Sequence, residues 1–150
     1  MVPIAYGKKK HNMSIHDKSL QQRSLLFAEL ASLAYGDEKH VKNEAKYFGF
    51  TKTKLYDNDG AQAYIFQNKH DVVVACRGTQ PTEFNDIKAD LKALPVMAET
   101  ISRVHRGFKK EVDELWPFVS AKLLHPAKET RGLWFCGHSL GAAMATIMAS

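Results

Sequence analysis

Apolar residues recur along the chain in two patterns, which together predict alternating helices and strands. A spacing close to 3.6 residues predicts amphipathic helices in three segments, 20–34, 84–94 and 108–123. Gly36 and Pro95 stand where the first two helices are expected to stop. The three apolar stripes consist of Leu20, Leu26, Phe27, Leu30, Leu33 and Ala34, then Phe84, Ile87, Leu91 and Leu94, then Phe108, Val112, Leu115, Val119 and Leu123.

Short β-like runs separate these helices. The segment 46–68 contains several such runs, broken by Asp57-Asn58-Asp59-Gly60, where Asx side chains and a glycine favour a turn and predict a hairpin. The apolar residues within Asp71–Cys76 and 133–136 are consecutive instead of alternating, which predicts strands covered by helices on both faces. The last segment, 141–150, is a helix former without a stop signal. This order of elements predicts an α/β fold with a mainly parallel sheet flanked by helices.

The composition is that of one ordinary globular domain. The chain has 150 residues, of which 45% are hydrophobic and 25% charged, and this balance excludes disordered and collagen-like proteins. A domain of this length buries about two-thirds of its unfolded surface, so one core is expected. Residues 1–17 are basic and aperiodic, which predicts a flexible lead-in.

The net charge does not indicate nucleic-acid binding. Lys and Arg exceed Asp and Glu by 21 − 16 = 5. After Lys8-Lys9-Lys10 the positive charges are scattered and are not interleaved with aromatic residues, so they are expected to solubilise the surface. A basic membrane-surface protein is an alternative that depends on this charge alone.

Other protein classes lack support in the sequence. No stretch approaches the roughly 20 apolar residues of a membrane span. Residues 8–18 are polar where a signal peptide needs an apolar segment, so the expected location is the cytoplasm, or outside the cell if a leader was removed. Cys76 and Cys136 lie in apolar runs, which predicts buried, reduced thiols. Neither zinc-ligand spacing nor a phosphate loop is present, so no metal or cofactor is expected.

The strongest chemical signal is the motif Gly137-His138-Ser139-Leu140-Gly141. A predicted buried strand precedes it and a small-residue helix follows it, which is the setting of a nucleophile elbow. A serine on such a strained turn brings its neighbours on both sides close together, so the flanking glycines provide room. The Ser139 hydroxyl is expected over the N-terminus of the next helix, whose dipole favours developing negative charge. The alternative is a glycine-rich turn with an incidental serine.

An acyl-transfer serine also needs hydrogen-bond donors for the oxyanion. The backbone N–H of Leu140 is one candidate, because it follows the nucleophile. A second donor is expected from a loop that leaves a neighbouring strand. The loop after Asp71–Cys76 contains Arg77, Gly78 and Thr79.

Four features, in order, resemble the class 3 lipases, the fungal-type branch of the α/β-hydrolase fold. They are the helix end Ala34-Tyr35-Gly36, the strand followed by Arg77-Gly78-Thr79, the stretch Val104-His105-Arg106-Gly107-Phe108, and the motif around Ser139. The resemblance implies that Ser139 is the nucleophile and that Thr79 and Leu140 form the oxyanion hole through their backbone N–H groups. It also implies that 18–150 is the N-terminal portion of one such domain, with the acid and the histidine of the triad expected after Ser150.

The resemblance further implies a lid over 80–98 that covers an apolar acyl pocket and swings away at a lipid surface. Phe84, Ile87, Leu91 and Leu94 would form its apolar face, although the same stripe would also suit an ordinary core helix. Asn85 is followed by Asp86 where related lipases often have tryptophan. This departure predicts weak interfacial activation.

The histidines of the chain are expected to be structural or solvated. His105 precedes Ser139, whereas α/β-hydrolases run serine, acid, histidine along the chain. His138 is expected to pack or hydrogen-bond locally, because an elbow turns adjacent side chains apart. The others, which show no partner pattern, are His11, His16, His40, His70 and His125.

These features predict a serine hydrolase that cleaves carboxylic esters, first of all acylglycerols, in lipid catabolism through an acyl-enzyme on Ser139. A short-chain carboxylesterase, a phospholipase A1 and a non-catalytic, hydrolase-derived binding module are the alternatives. The expected partners are a lipid or small ester and, transiently, a lipid interface. No nucleic acid and no transmembrane segment is expected.

Overall fold

The computed structural model describes residues 13–58, 60–78, 95–97, 103–123 and 131–150. Within these residues, helices pack on both faces of a four-stranded sheet. The helices are α1 (Leu20–Leu33), α2 (Glu38–Tyr47), α3 (Arg106–Leu123) and α4 (Leu140–Met148). The strands are β1 (Lys52–Asn58), β2 (Ala61–Gln67), β3 (Asp71–Cys76), β4 (Pro95–Met97), β5 (Arg103–His105) and β6 (Gly132–Gly137).

The sheet has the strand order β1-β2-β3-β6 and is mixed, where the sequence predicts a mainly parallel one. The predicted hairpin is confirmed, because β1 pairs antiparallel with β2, and β2 pairs antiparallel with β3. Short turns between consecutive strands permit only this antiparallel pairing. Strands β3 and β6 are parallel, since the connection between them is long and contains α3. The parallel character predicted from the two apolar runs therefore applies to this central pair.

Strand β3 is the centre of the core, as its continuous apolar run predicts. All six of its residues are buried. Side chains alternate across a strand, so Val72, Val74 and Cys76 pack toward α3 and α4. Val73 and Ala75 pack on the opposite face, toward α1 and α2. The sheet thus separates two apolar clusters. The central strand β3 ends at Cys76, next to the motif around Ser139.

Two predicted helices have the expected apolar faces. In α3 the stripe is confirmed at Val112, Leu115 and Val119, which are all buried. Helix α1 begins with a capping box between Ser19 and Gln22 and ends shortly before Gly36. Leu20 differs from the prediction, since it lies at the start of α1 and is 78% exposed. The predicted helix at 84–94 lies outside the described residues.

Helix α2 is not predicted by the apolar pattern. Only Val41 and Ala45, one turn apart, are buried, and the rest of the helix is mostly charged. The side chain of Asp37 caps its first turn by accepting a hydrogen bond from the His40 backbone N–H. The burial of Val41 and Ala45 and the cap by Asp37 stabilise this helix, although most of its residues are polar.

At the end of the predicted lead-in, Ser14 and Ile15 are hydrogen-bonded to the buried carboxylate of Asp71 in the sheet. Ile15 is only 2% exposed, and its backbone N–H donates to Asp71 at 2.9 Å. Asp71 also accepts from the Trp134 indole at 2.9 Å and from the Ser14 hydroxyl at 3.3 Å. A buried charge requires such donors, because burial without them costs several kcal/mol. The segment 13–17 therefore differs from the flexible state predicted for 1–17.

The two thiols are free and buried, as predicted. Cys76 and Cys136 lie on neighbouring strands, but they pack in the two different apolar clusters. Their side chains therefore extend to opposite faces of the sheet, which does not allow a disulfide between them. Burial raises the pKa of each thiol from its ordinary value of 9.0 to about 12.

We expect the protein to lose stability as the pH rises from about 9 to about 12. In this range the unfolded chain releases the two thiol protons while the folded state retains them. Each retained proton lowers the free energy of unfolding by about 1.4 kcal/mol per pH unit. Urea unfolding at several pH values between about 8 and about 11 measures the slope. The variant carrying Cys76→Ala and Cys136→Ala should show a shallower slope, and an unchanged slope would contradict the prediction.

Candidate active site

The turn between β6 and α4 has a strained backbone at Ser139. This residue has φ 57° and ψ −125°, and among the described residues it is the one non-glycine residue with positive φ. Such a conformation costs an L residue about 1–3 kcal/mol and persists only where the surroundings impose it. The Ser139 hydroxyl makes no capping hydrogen bond to α4. The predicted elbow geometry is therefore present, and the hydroxyl is not committed to stabilising the helix.

Two glycines permit this turn because neighbouring backbone occupies the space of their missing side chains. A Cβ at Gly137 would overlap the backbone carbonyl of Gly141. A Cβ at Gly141 would overlap the carbonyl of Cys76 and approach the nitrogen of Gly78 to 2.9 Å. The elbow is thus packed directly against the end of β3, as the glycine spacing predicts.

Ser139 lies at the N-cap of α4, where backbone N–H groups lack acceptors within the helix. Gly141 N–H donates instead to the carbonyl of His138 at 3.0 Å, and Ala142 N–H donates to the carbonyl of Ser139 at 3.0 Å. Leu140 is the first residue of the helix, so its N–H has no carbonyl one turn before it to accept its hydrogen. The helix dipole and this N–H favour negative charge near Ser139.

The imidazole of His138 contacts Tyr35, which follows α1. The Tyr35 hydroxyl lies 3.2 Å from Nδ1 of His138, and the two rings meet edge to face with centroids 6.0 Å apart. The imidazole of His138 thus contacts a side chain 103 positions away in the sequence. Burial raises the pKa of Tyr35, against the opposing effects of a hydrogen bond from the Gly78 backbone N–H and the nearby Arg77.

A groove of about 910 Å³ lies beside the elbow, between α1, β6 and α4. Phe27 and Ala31 of α1, Phe135 of β6 and Ala145 of α4 contribute to its largely apolar lining. It runs along β6, which is an edge strand of the described sheet. Gly137 and His138 border the same groove, which therefore reaches the two residues that precede Ser139.

Several predicted site residues lie outside the described residues. These are the predicted oxyanion donor Thr79 and the lid residues Phe84, Ile87, Leu91 and Leu94. The backbone of His105 ends β5, but its side chain is also outside the described part. The structure therefore brings together Gly137, His138, Ser139, Leu140 and Gly141, with Gly78 and Tyr35 beside them.

Two further features bear on cofactors and membranes. In the part of the chain that the structure describes, no three His, Cys, Asp or Glu side chains are grouped to hold a metal ion. Among the helices described, none has the length and apolar character that crossing a membrane requires.

The sequence does not reveal the position of Tyr35 at this site. Tyr35 and His138 are 103 positions apart, and no periodicity connects a helix end to a distant turn. The sequence shows only that Tyr35 directly precedes Gly36, the glycine at which the first helix is expected to stop. Only the packing of α1 against β6 brings the two side chains into contact.

Solved structures of lipases resemble this fold. One is a triacylglycerol lipase whose catalytic centre is a serine protease triad (TM-score 0.70, 21% identity, 88% of this chain and 55% of that chain). A second is the triacylglyceride lipase of Rhizomucor miehei (TM-score 0.67, 21% identity, 88% and 55%). A third is a fungal lipase in an inhibitor complex that provides a model for interfacial activation (TM-score 0.66, 21% identity, 87% and 55%). The chain spans about half the length of these proteins.

Sequence comparison identifies the family. No curated protein sequence matches the chain. The sequence model of the class 3 lipases matches residues 73–150, which is just over half of the chain and includes most of β3, all of β6 and the elbow. The match agrees with the strained serine, the two packed glycines and the shared fold. The chain therefore belongs to the class 3 lipase family and has the α/β-hydrolase fold.

Proposed function

We propose that the protein hydrolyses carboxylic esters, foremost acylglycerols, through an acyl-enzyme on Ser139. The observation that carries this proposal is the strained backbone of Ser139 at the N-terminus of α4, in a chain of the class 3 lipase family. Backbone strain of this kind clusters at functional sites, because an unstrained turn would serve structure alone equally well.

In the proposed mechanism the Ser139 hydroxyl attacks the ester carbonyl. A histidine removes the hydroxyl proton and later delivers a proton to the alcohol that leaves, and an acidic residue orients this histidine. Water then hydrolyses the acyl-enzyme and regenerates the serine. His138 is not assigned as this histidine, because it precedes Ser139, whereas the chain order in α/β-hydrolases is serine, acid, histidine.

The negative charge of the tetrahedral intermediate requires two donors. We assign one to the backbone N–H of Leu140, which the start of α4 leaves without an intrahelical acceptor. We assign the other to Thr79, which directly follows Gly78 beside the elbow. Each such donor contributes about 3–4 kcal/mol to transition-state stabilisation.

We further propose that 80–98 acts as a lid and that the protein contacts lipid surfaces transiently. The apolar stripe of this segment and the family membership support this role. The pair Asn85-Asp86 places an acidic residue in the segment, which favours weak interfacial activation.

The experiment that tests the function uses the full-length protein. We expect it to hydrolyse acylglycerol emulsions and a p-nitrophenyl ester, and to be labelled by a fluorophosphonate at Ser139. Faster hydrolysis of short soluble esters, without a rise above the solubility limit, would indicate a carboxylesterase. Preferential cleavage of phospholipid vesicles would indicate a phospholipase A1. A folded protein that neither cleaves esters nor labels would be a binding module and would overturn the proposal.

A further inference from the structure

The Tyr35 hydroxyl joins two segments that are far apart in the sequence. On one side it lies 3.2 Å from Nδ1 of His138 and 3.5 Å from the carbonyl oxygen of the same residue. On the other side it lies beside Gly78, whose backbone N–H interacts with the hydroxyl and lowers its pKa. A phenol oxygen can accept one bond and donate another, so a single hydroxyl connects the end of β3 to the elbow.

Gly78 has no room for a side chain at this junction. A Cβ there would lie 2.6 Å from the Tyr35 hydroxyl and 2.6 Å from the carbonyl oxygen of His138. The three groups are therefore in mutual contact, and the hydroxyl fills the space between them.

The ring of Tyr35 is also supported from behind. The guanidinium of Arg77 lies 6.0 Å from the ring centroid and donates to the Gln62 side chain at 2.8 Å. The next residue, Gly36, accepts a hydrogen bond from the hydroxyl of Tyr64 at 3.1 Å. These contacts restrict both the ring and its backbone, which a positioning role requires.

From this geometry we propose that Tyr35 is a positioning residue, which sets the distance between Gly78 at the end of β3 and the elbow that contains Leu140. The inference rests on the proposed function, in which Leu140 and the residue that follows Gly78 provide the oxyanion donors. Oxyanion donors act only when both lie about 2.7–3.1 Å from the developing oxyanion. Tyr35 touches neither substrate nor reacting atoms in this role, and it acts through Gly78 and His138.

The test is Tyr35→Phe in the complete enzyme, measured as ester hydrolysis. We expect kcat and kcat/KM to fall together by about 10-fold or more, because the lost interaction matters only in the transition state. The matched control is Tyr47→Phe, which also removes a tyrosine hydroxyl but lies at the end of α2 with 79% of its surface exposed. Tyr47→Phe should leave kcat within about 2-fold. Equal loss of kcat in both variants would overturn the proposal, as would full kcat in Tyr35→Phe.

A rescue series tests the same contact from the His138 side. His138→Asn retains an acceptor near the position of Nδ1, whereas His138→Ala removes it. We expect near-normal kcat in the asparagine variant and a loss in the alanine variant that is not additive with Tyr35→Phe. Equal loss in both His138 variants would contradict the proposed role even if Tyr35→Phe did not fold.

The failure of this inference can be distinguished from failure of the proposed function. If the wild-type enzyme shows no hydrolysis that depends on Ser139, the function itself is wrong. If that hydrolysis is present and Tyr35→Phe retains it in full, only the positioning role is wrong.

Discussion

Replacement of Ser139 by alanine is expected to lower ester hydrolysis by about 10⁴-fold or more in the complete enzyme, since the acyl-enzyme has no other atom on which to form. The hydroxyl makes no capping bond, so Ser139→Ala should leave thermal stability nearly unchanged. Hydrolysis of a p-nitrophenyl ester and a thermal melt measure the two effects. The matched control is Ser120→Ala, which removes an exposed hydroxyl on α3 and should retain full activity.

Ser139→Gly separates the role of the hydroxyl from the strain of the backbone. Glycine adopts positive φ without the steric cost that an L residue bears. We therefore expect this variant to be as inactive as the alanine variant but about 1 kcal/mol more stable than the wild type. Activity within about 10-fold of the wild type in either variant would exclude Ser139 as the nucleophile. A glycine variant no more stable than the alanine variant would exclude the strain.

The second large effect is expected from Gly141→Ala, which should destabilise the fold by about 3 kcal/mol or more. The added Cβ would overlap the carbonyl of Cys76, which is backbone of the central strand and has no room to move. A loss of this size lowers the melting temperature of a chain of this length by about 10 °C, which a thermal melt measures.

Gly60→Ala is the matched control for this prediction, because the same methyl group would meet nothing within 4 Å there. Gly60 has φ 89°, so its replacement costs only backbone strain of about 1–2 kcal/mol. If Gly141→Ala melted at the same temperature as Gly60→Ala, close packing of the elbow on β3 would be contradicted.

Much of this fold was predictable from local patterns. The stripe of Val112, Leu115 and Val119 predicts a buried helix face, and the continuous apolar run of β3 predicts a strand covered on both sides. Both predictions depend only on how side chains repeat along a helix or a strand. Helix α2 was not predictable in this way, because two buried residues do not form a period.

The sequence by itself determined the tight turn at Ser139, since two glycines flanking a serine between an apolar run and a small-residue helix are local requirements of such a turn. It also determined that the cysteines would be buried. Only the tertiary structure decided which distant segments meet this turn. Three such contacts depend on how the helices pack against the sheet. They are the contact of Tyr35 with His138, the close approach of Gly78 to both residues, and the hydrogen bond from Ile15 to Asp71. Such contacts join residues far apart in the chain, and spacing along the sequence carries no information about them.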